Sequence, residues 1–95
     1  MGVETKIEPT TIPRMPRGVR LKHDETRDEW LLLAPERVVK PNPSAIEILK
    51  RCDGKANVSE IVQALAEQFS ADPALIERDV RALLNELAAK RMLDL

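Results

Sequence analysis

His23 is the only imidazole in this chain and Cys52 the only thiol. An enzyme of this size would need them for most of its nucleophile, base or metal-ligand chemistry. Neither is placed for that work. His23 lies in an alternating strand pattern beside a polar turn, with no cysteine or second histidine nearby to complete a ligand pair. Cys52 keeps helical step with Ala45, Ile46 and Leu49, where a thiol serves as a small buried hydrophobe. Ser44, Ser59 and Ser70 stand at helix starts or in loops, positions that capping explains. The three glycines form no phosphate-cradling motif, and the carboxylates are scattered over helix surfaces. The inventory points away from catalysis and calls for no cofactor and no metal.

Backbone chemistry is better represented. Trp30, Leu31, Leu32 and Leu33 form an unbroken apolar strand that ends in a turn at Pro35. A very short strand follows at Arg37, Val38, Val39 and Lys40, closed at once by Pro41 and Pro43. Proline has no N–H to give to a ladder and confines strands to sheet edges. An exposed edge beside a helix is a place where an extended peptide can add a strand. Val38 and Val39 point to opposite faces, so only one of them can line a groove there.

The rest of the chain must position that edge. Residues 1–12, rich in Thr, Pro and charge, read as a disordered tail or linker, and residues 13–95 as one folded domain. Arg14, Arg17, Arg20 and Lys22 are the only charges between Pro9 and His23, a basic arm that could touch an acidic partner. Val19, Leu21 and His23 alternate with Arg20, Lys22 and Asp24 as in a half-buried strand, and a polar turn returns the chain into the Trp30 strand. That strand's continuous apolarity predicts two faces at least partly covered, one by helices and the other by a second copy or a partner.

Three helices follow. Asn42 with Pro43 starts the first, carrying Ala45, Ile46, Leu49 and Cys52, and Asp53-Gly54 stops it. Asn57 with Glu60 starts the second as a capping box, with Val58, Ile61, Val62, Leu65 and Phe69 as its stripe. Asp72-Pro73 starts the third, with Ile76, Val80, Leu83, Leu84 and Leu87 inward to about Lys90. Residues 92–95 add a short final strand or pack as a tail. The predicted fold is α+β and winged-helix-like: an N-terminal three-stranded antiparallel sheet on a three-helix bundle.

Composition sets the outer limits. Ninety-five residues make one small domain, 43% apolar but with one Trp, one Phe and no Tyr, so its core is aliphatic. A net charge of −1 disfavours a dedicated nucleic-acid binder. No apolar run approaches the roughly 20 residues that span a bilayer, and no signal region opens the chain. The expectation is a soluble, cytoplasmic protein, a monomer or weak homodimer, with no nucleic-acid or membrane partner.

The segments LLLAPERVV, ILKRCDG, VSEIVQALAEQF and DVRALLNELAAKRMLDL resemble the PqqD family of pyrroloquinoline quinone (PQQ) biosynthesis, over about residues 13–95. One departure is Pro41-Asn42-Pro43, where the family pattern carries a Leu-Asn type sequence without flanking prolines. The resemblance implies a non-enzymatic peptide chaperone. Such a module holds the ribosomal precursor peptide PqqA and presents it to the radical SAM enzyme PqqE, which cross-links a Glu and a Tyr of the peptide. In related recognition elements the leader adds a strand to the third strand and lies against the third helix. The implied contacts here are Arg37, Val38, Val39 and Lys40, then Ile76, Asp79, Val80, Leu83 and Glu86. Some members are fused to the pathway enzyme PqqC, and the Pro/Thr-rich start suits a fusion linker and a free tail equally. Asp79, Glu86 and Lys90 mark one flank of the third helix, and Glu77, Arg81 and Ala88 the other; the pattern leaves open which faces the edge. The alternative reading, a winged-helix DNA binder, would use Arg78 and Arg81 on phosphates.

Overall fold

Three strands precede three helices in the computed structural model, which describes residues 7–95. Strand β1 (Arg20–Asp24) pairs antiparallel with β2 (Glu29–Ala34), from Arg20 opposite Leu33 to Asp24 opposite Glu29. At the turn between them the Asp24 carboxylate accepts the Thr26 N–H at 3.1 Å, and Asp28 takes a left-handed φ of 51°. Strand β3 (Arg37–Val39) pairs with the other side of β2, with Leu32 opposite Val39 and Ala34 opposite Arg37. The sheet is α+β in context, ordered β1-β2-β3.

Side chains alternate across β2 as a pleated strand requires. Leu32 is fully buried under the helices, joined from the neighbouring strands by Leu21 and Val39. Leu31 and Leu33 face the other way and are only half-buried, outside the set that packs on the core.

Helix α1 (Pro43–Leu49) begins where Asn42 Oδ1 accepts the Ala45 N–H at 2.8 Å, with proline at its first position. It ends sooner than the pattern suggests, and its buried side chains are Ala45, Ile48 and Leu49, followed by Cys52. The predicted stripe named Ile46 rather than Ile48. Residues 45, 48, 49 and 52 share one face at the 3.6 period, whereas Ile46 sits a step around the helix and is half-buried.

Helix α2 (Val58–Phe69) opens with the expected reciprocal cap, Asn57 and Glu60 each binding the other's backbone N–H at 2.8 and 3.0 Å. Val58, Ile61, Val62, Leu65 and Ala66 are buried, but Phe69 is 52% exposed. Phe69 is the last helical residue, at the rim of a gap opposite α1, where it is only half covered. Helix α3 (Pro73–Ala89), capped by Asp72, buries Val80, Leu84 and Leu87 and keeps Ile76 and Leu83 half-buried at the border of that face.

The chain ends close over this frame. Residues 1–6 lie outside the described part of the structure, but the predicted tail does not extend to residue 12. Ile7 is 6% exposed in the core and Pro13 is fully buried. The Pro9 and Thr11 carbonyls accept the Ser59 and Val58 N–H groups at the start of α2, donors that a helix leaves unpaired at its N-terminus. A turn over residues 8–11, closed by the Thr11 N–H on the Glu8 carbonyl at 3.0 Å, aims both acceptors at the helix start, and proline limits the freedom lost in forming it. Arg14 exchanges two backbone hydrogen bonds with Asp94, at 2.9 and 3.0 Å, and this isolated bridge anchors the buried Met92 and Leu93. Gly54, at φ 78°, donates to the Pro13 carbonyl; a Cβ there would lie 3.4 Å from that of Arg14 in a conformation that side chains resist.

Candidate functional site

Among the described residues β3 has a ladder partner on one side only, so its other edge is open. Pro41 and Pro43 end the strand and start α1 within four residues, which brings the first turn of α1 beside the edge. Arg37, Val38 and Lys40 are exposed, Val38 by 65%. Val39 turns inward against the core, so it is the valine that can line a groove.

That groove lies between β3 and α3. A cavity of about 210 Å³ has Val39, Lys40 and Pro41 on one wall and Leu83, Glu86, Leu87 and Lys90 on the other, over Leu32 and Leu49. It shares Asn42, Ala45, Leu83 and Glu86 with a second cavity of about 340 Å³, where Ser44 and Ile48 of α1 face Asp79 and Ala82 of α3. A third, of about 240 Å³, continues past Asp79 to Leu65, Phe69 and Ile76. From Lys90 to Ile76 the furrow follows α3 for about 21 Å at roughly 1.5 Å per residue. An extended chain rising roughly 3.3 Å per residue covers that length with about six residues.

The flank of α3 is thereby assigned. Asp79, Glu86 and Lys90 face the furrow. On the other flank Arg81 donates to the Ile7 carbonyl and pairs with Glu77 at 3.6 Å. Of the residues named from sequence, Val39, Lys40, Ile76, Asp79, Leu83 and Glu86 line the furrow, while Arg37 and Val38 stand on the open strand beside it. Val80 does not line it. It is 0% exposed, one step inside the helix, and supports the wall from beneath. The α1 wall, with Asn42, Ser44, Ala45 and Ile48, was missed; its one sequence signal was the paired prolines that fold α1 back onto the strand.

The furrow's charges are held loosely. Lys40 pairs with Glu29 at 3.6 Å, Lys90 with Glu86 at 3.2 Å and Arg78 with Asp79 at 3.8 Å, all substantially exposed. Exposed pairs contribute little and can be exchanged for a ligand's charges. Glu47, at the rim near Phe69, is held below the ordinary glutamate range by hydrogen bonds from Gln68, then Lys50 and Arg51, which outweigh its partial burial.

The candidate chemical groups lie elsewhere. Burial, reinforced by the Asp53 carboxylate, pushes the Cys52 thiol up to about 12, and its Sγ–H donates to the Ile48 carbonyl at 3.3 Å. His23 Nε2 is 2.9 Å from Asp28 Oδ1, and its ring stacks on Trp30, with centroids 4.8 Å apart, while Lys50 covers Trp30 at 4.7 Å. Asp53 is lowered by accepting the Ala56 and Lys55 N–H groups, a turn role. Among the described residues no three His, Cys, Asp or Glu side chains could together hold a metal ion, and no helix is long and apolar enough to cross a membrane.

Residues 29–93, which include the strand edge and both helical walls of the furrow, match the family model of coenzyme PQQ synthesis protein D (PqqD). This chain belongs to the PqqD family. A PqqD relative in Rhodopseudomonas palustris (strain TIE-1), named PqqA binding protein, is 51% identical over 92% of this chain and 85% of its own length. The bifunctional coenzyme PQQ synthesis protein C/D of Methylorubrum extorquens is 46% identical over 95% of this chain, which spans 26% of that longer protein. Among solved structures, the PqqD truncation of Methylobacterium extorquens PqqCD superposes with a TM-score of 0.82 at 45% identity, over 96% of this chain and 97% of that one. It is described as a functional, stand-alone RiPP recognition element. TbiB1, in complex with the TbiA(beta) leader peptide, superposes with a TM-score of 0.74 at 26% identity, over 85% of this chain and 94% of that one.

Proposed function

We propose that this chain binds the precursor peptide PqqA by adding it as a fourth strand beside β3 and presents it to the radical SAM enzyme PqqE for Glu–Tyr cross-linking, with no catalysis of its own. The observation that carries this reading is the continuity of an open strand edge with a furrow along α3. The relatives named PqqA binding protein and the leader-bound TbiB1 structure support the same reading.

The energetics call for both parts of the site. A three-residue strand offers a few backbone hydrogen bonds at about 0.5–1.5 kcal/mol each, marginal against the ordering of a flexible peptide. Apolar side chains seated between Val39 and Leu83, and farther on between Ile48 and Ile76, add roughly 25 cal/mol per Å² buried. Micromolar affinity, about −8 kcal/mol, is the expected scale. Arg37, Val38, Val39 and Lys40 carry the strand contact, and Ile76, Asp79, Leu83 and Glu86 the helix contact.

Titrating isotopically labelled protein with PqqA tests the reading. Amide shifts should concentrate at residues 37–40 and along the Asp79–Glu86 flank, and shifts confined to the N-terminal segment would reject it. The DNA-binding alternative draws no support from Arg81, which is engaged by the Ile7 carbonyl and by Glu77.

A further inference from the structure

Phe69 and Ile76 occupy core positions that the described residues leave uncovered. Phe69 follows Leu65 by four residues, in step with the buried face of α2, and Ile76 precedes Val80 by four, in step with that of α3. Phe69 is nonetheless 52% exposed, and Ile76 is half-buried. The cavity of about 240 Å³ between them has the buried Leu65 and Ile48 as its other apolar lining. Neither carboxylate beside it asks for a charge on a ligand. Glu47 is satisfied by Gln68, Lys50 and Arg51, and the Asp79 side chain is more than half exposed to water. What is left unsatisfied is the apolar lining.

The cavity shares Ser44, Ile48 and Asp79 with the middle of the furrow, so a peptide lying there passes its opening. Past β3 the ladder has little to offer, because Pro41 and Pro43 have no N–H to donate. Backbone pairing also reads no side chain; in strand addition the pockets supply the selection. Leu83 and Ile76 are seven residues apart on α3, about 10 Å, which an extended chain spans in about three residues. We infer that this cavity is the selective subsite for PqqA, taking one large uncharged apolar side chain, aliphatic or aromatic, about three residues outside the segment paired with β3. Phe69 and Ile76 are its specificity-determining residues. The inference rests on the peptide-binding reading above and adds a second anchor and what it selects.

The test replaces the apolar residues of PqqA by alanine one at a time. Each peptide is titrated calorimetrically against the unaltered chain, Phe69→Ala, Phe69→Leu and Ile76→Ala, with thermal melting of every variant. The expected result is a loss of about fivefold in PqqA affinity for Phe69→Ala and a smaller loss for Phe69→Leu. One PqqA residue, about three positions outside the segment with NOEs to residues 37–39, should lose its alanine effect in both Phe69→Ala and Ile76→Ala. A variant that merely weakened the fold would not single out one peptide residue. If every PqqA alanine costs the same in the variants as in the unaltered chain, the inference is overturned while PqqA binding stands. Coupling only to a residue inside the paired segment overturns it as well. Failure of the unaltered chain to bind PqqA overturns both readings together.

Discussion

The two flanks of α3 carry similar residues and have opposite fates. Asp79, Glu86 and Lys90 lie along an open furrow, with only exposed, exchangeable ion pairs. On the other flank Arg81 is tied to Glu77 and donates to the Ile7 carbonyl, and the segment that supplies that carbonyl runs on to cap the start of α2. The difference teaches that a groove can be defined by what is covered. The N-terminal segment, through the Ile7 carbonyl, occupies one side of the helix, and the side left open is the one beside the β3 edge.

The contrast can be broken in order of expected effect. Leu84 lies beneath both flanks at 0% exposure, so Leu84→Ala should cost about 3 kcal/mol in denaturant unfolding and weaken everything built on α3. Leu83→Asp puts a charge in the furrow wall. It should lower PqqA affinity by at least about tenfold, roughly 1.4 kcal/mol, with a smaller loss of fold stability than at Leu84, as read by calorimetric titration beside thermal melting. Arg81→Ala should reverse that pattern. Losing the Ile7 anchor should cost about 1 kcal/mol of stability and speed amide exchange at Val58 and Ser59, while PqqA affinity stays unchanged.

Two smaller effects concern the frame alone. The folded protein holds the Cys52 thiol up to about 12, above its ordinary value of 9.0, so the stability linked to the neutral thiol is complete below pH 9 and drains away as pH rises toward 12. Unfolding measured at about pH 8 and about pH 10 should show that decline in the natural chain and less of it in Cys52→Ala. Ser70, in the left-handed region at the end of α2, should gain up to about 1 kcal/mol as glycine, with no change in peptide binding.

Much of this was legible in the residues. Pro41 and Pro43 marked a truncated edge strand, Asn57 with Glu60 and Asp72 with Pro73 marked two helix starts, and the aliphatic stripes marked the core. The flank that faces the furrow was not legible, because a helical stripe has two borders and both carry mixed charge. What decides between them is Ile7, an isolated apolar residue in a Pro- and Thr-rich stretch whose composition reads as a tail. Its pairing with Arg81 is a contact across the fold that local pattern cannot encode. Val80 was misplaced for a related reason. One residue from Asp79 is about 100° around the helix, enough to pass from the furrow wall to the fully buried core.

The central claim is that a ligand completes the free side of β3. Cross-strand backbone NOEs between labelled PqqA and residues 37–39 of the full chain test it most directly. A continuous set, with contacts from the same peptide to Leu83 and Asp79, is the predicted result. A bound peptide whose NOEs reach only the Arg81 flank or the outer sheet face would contradict it.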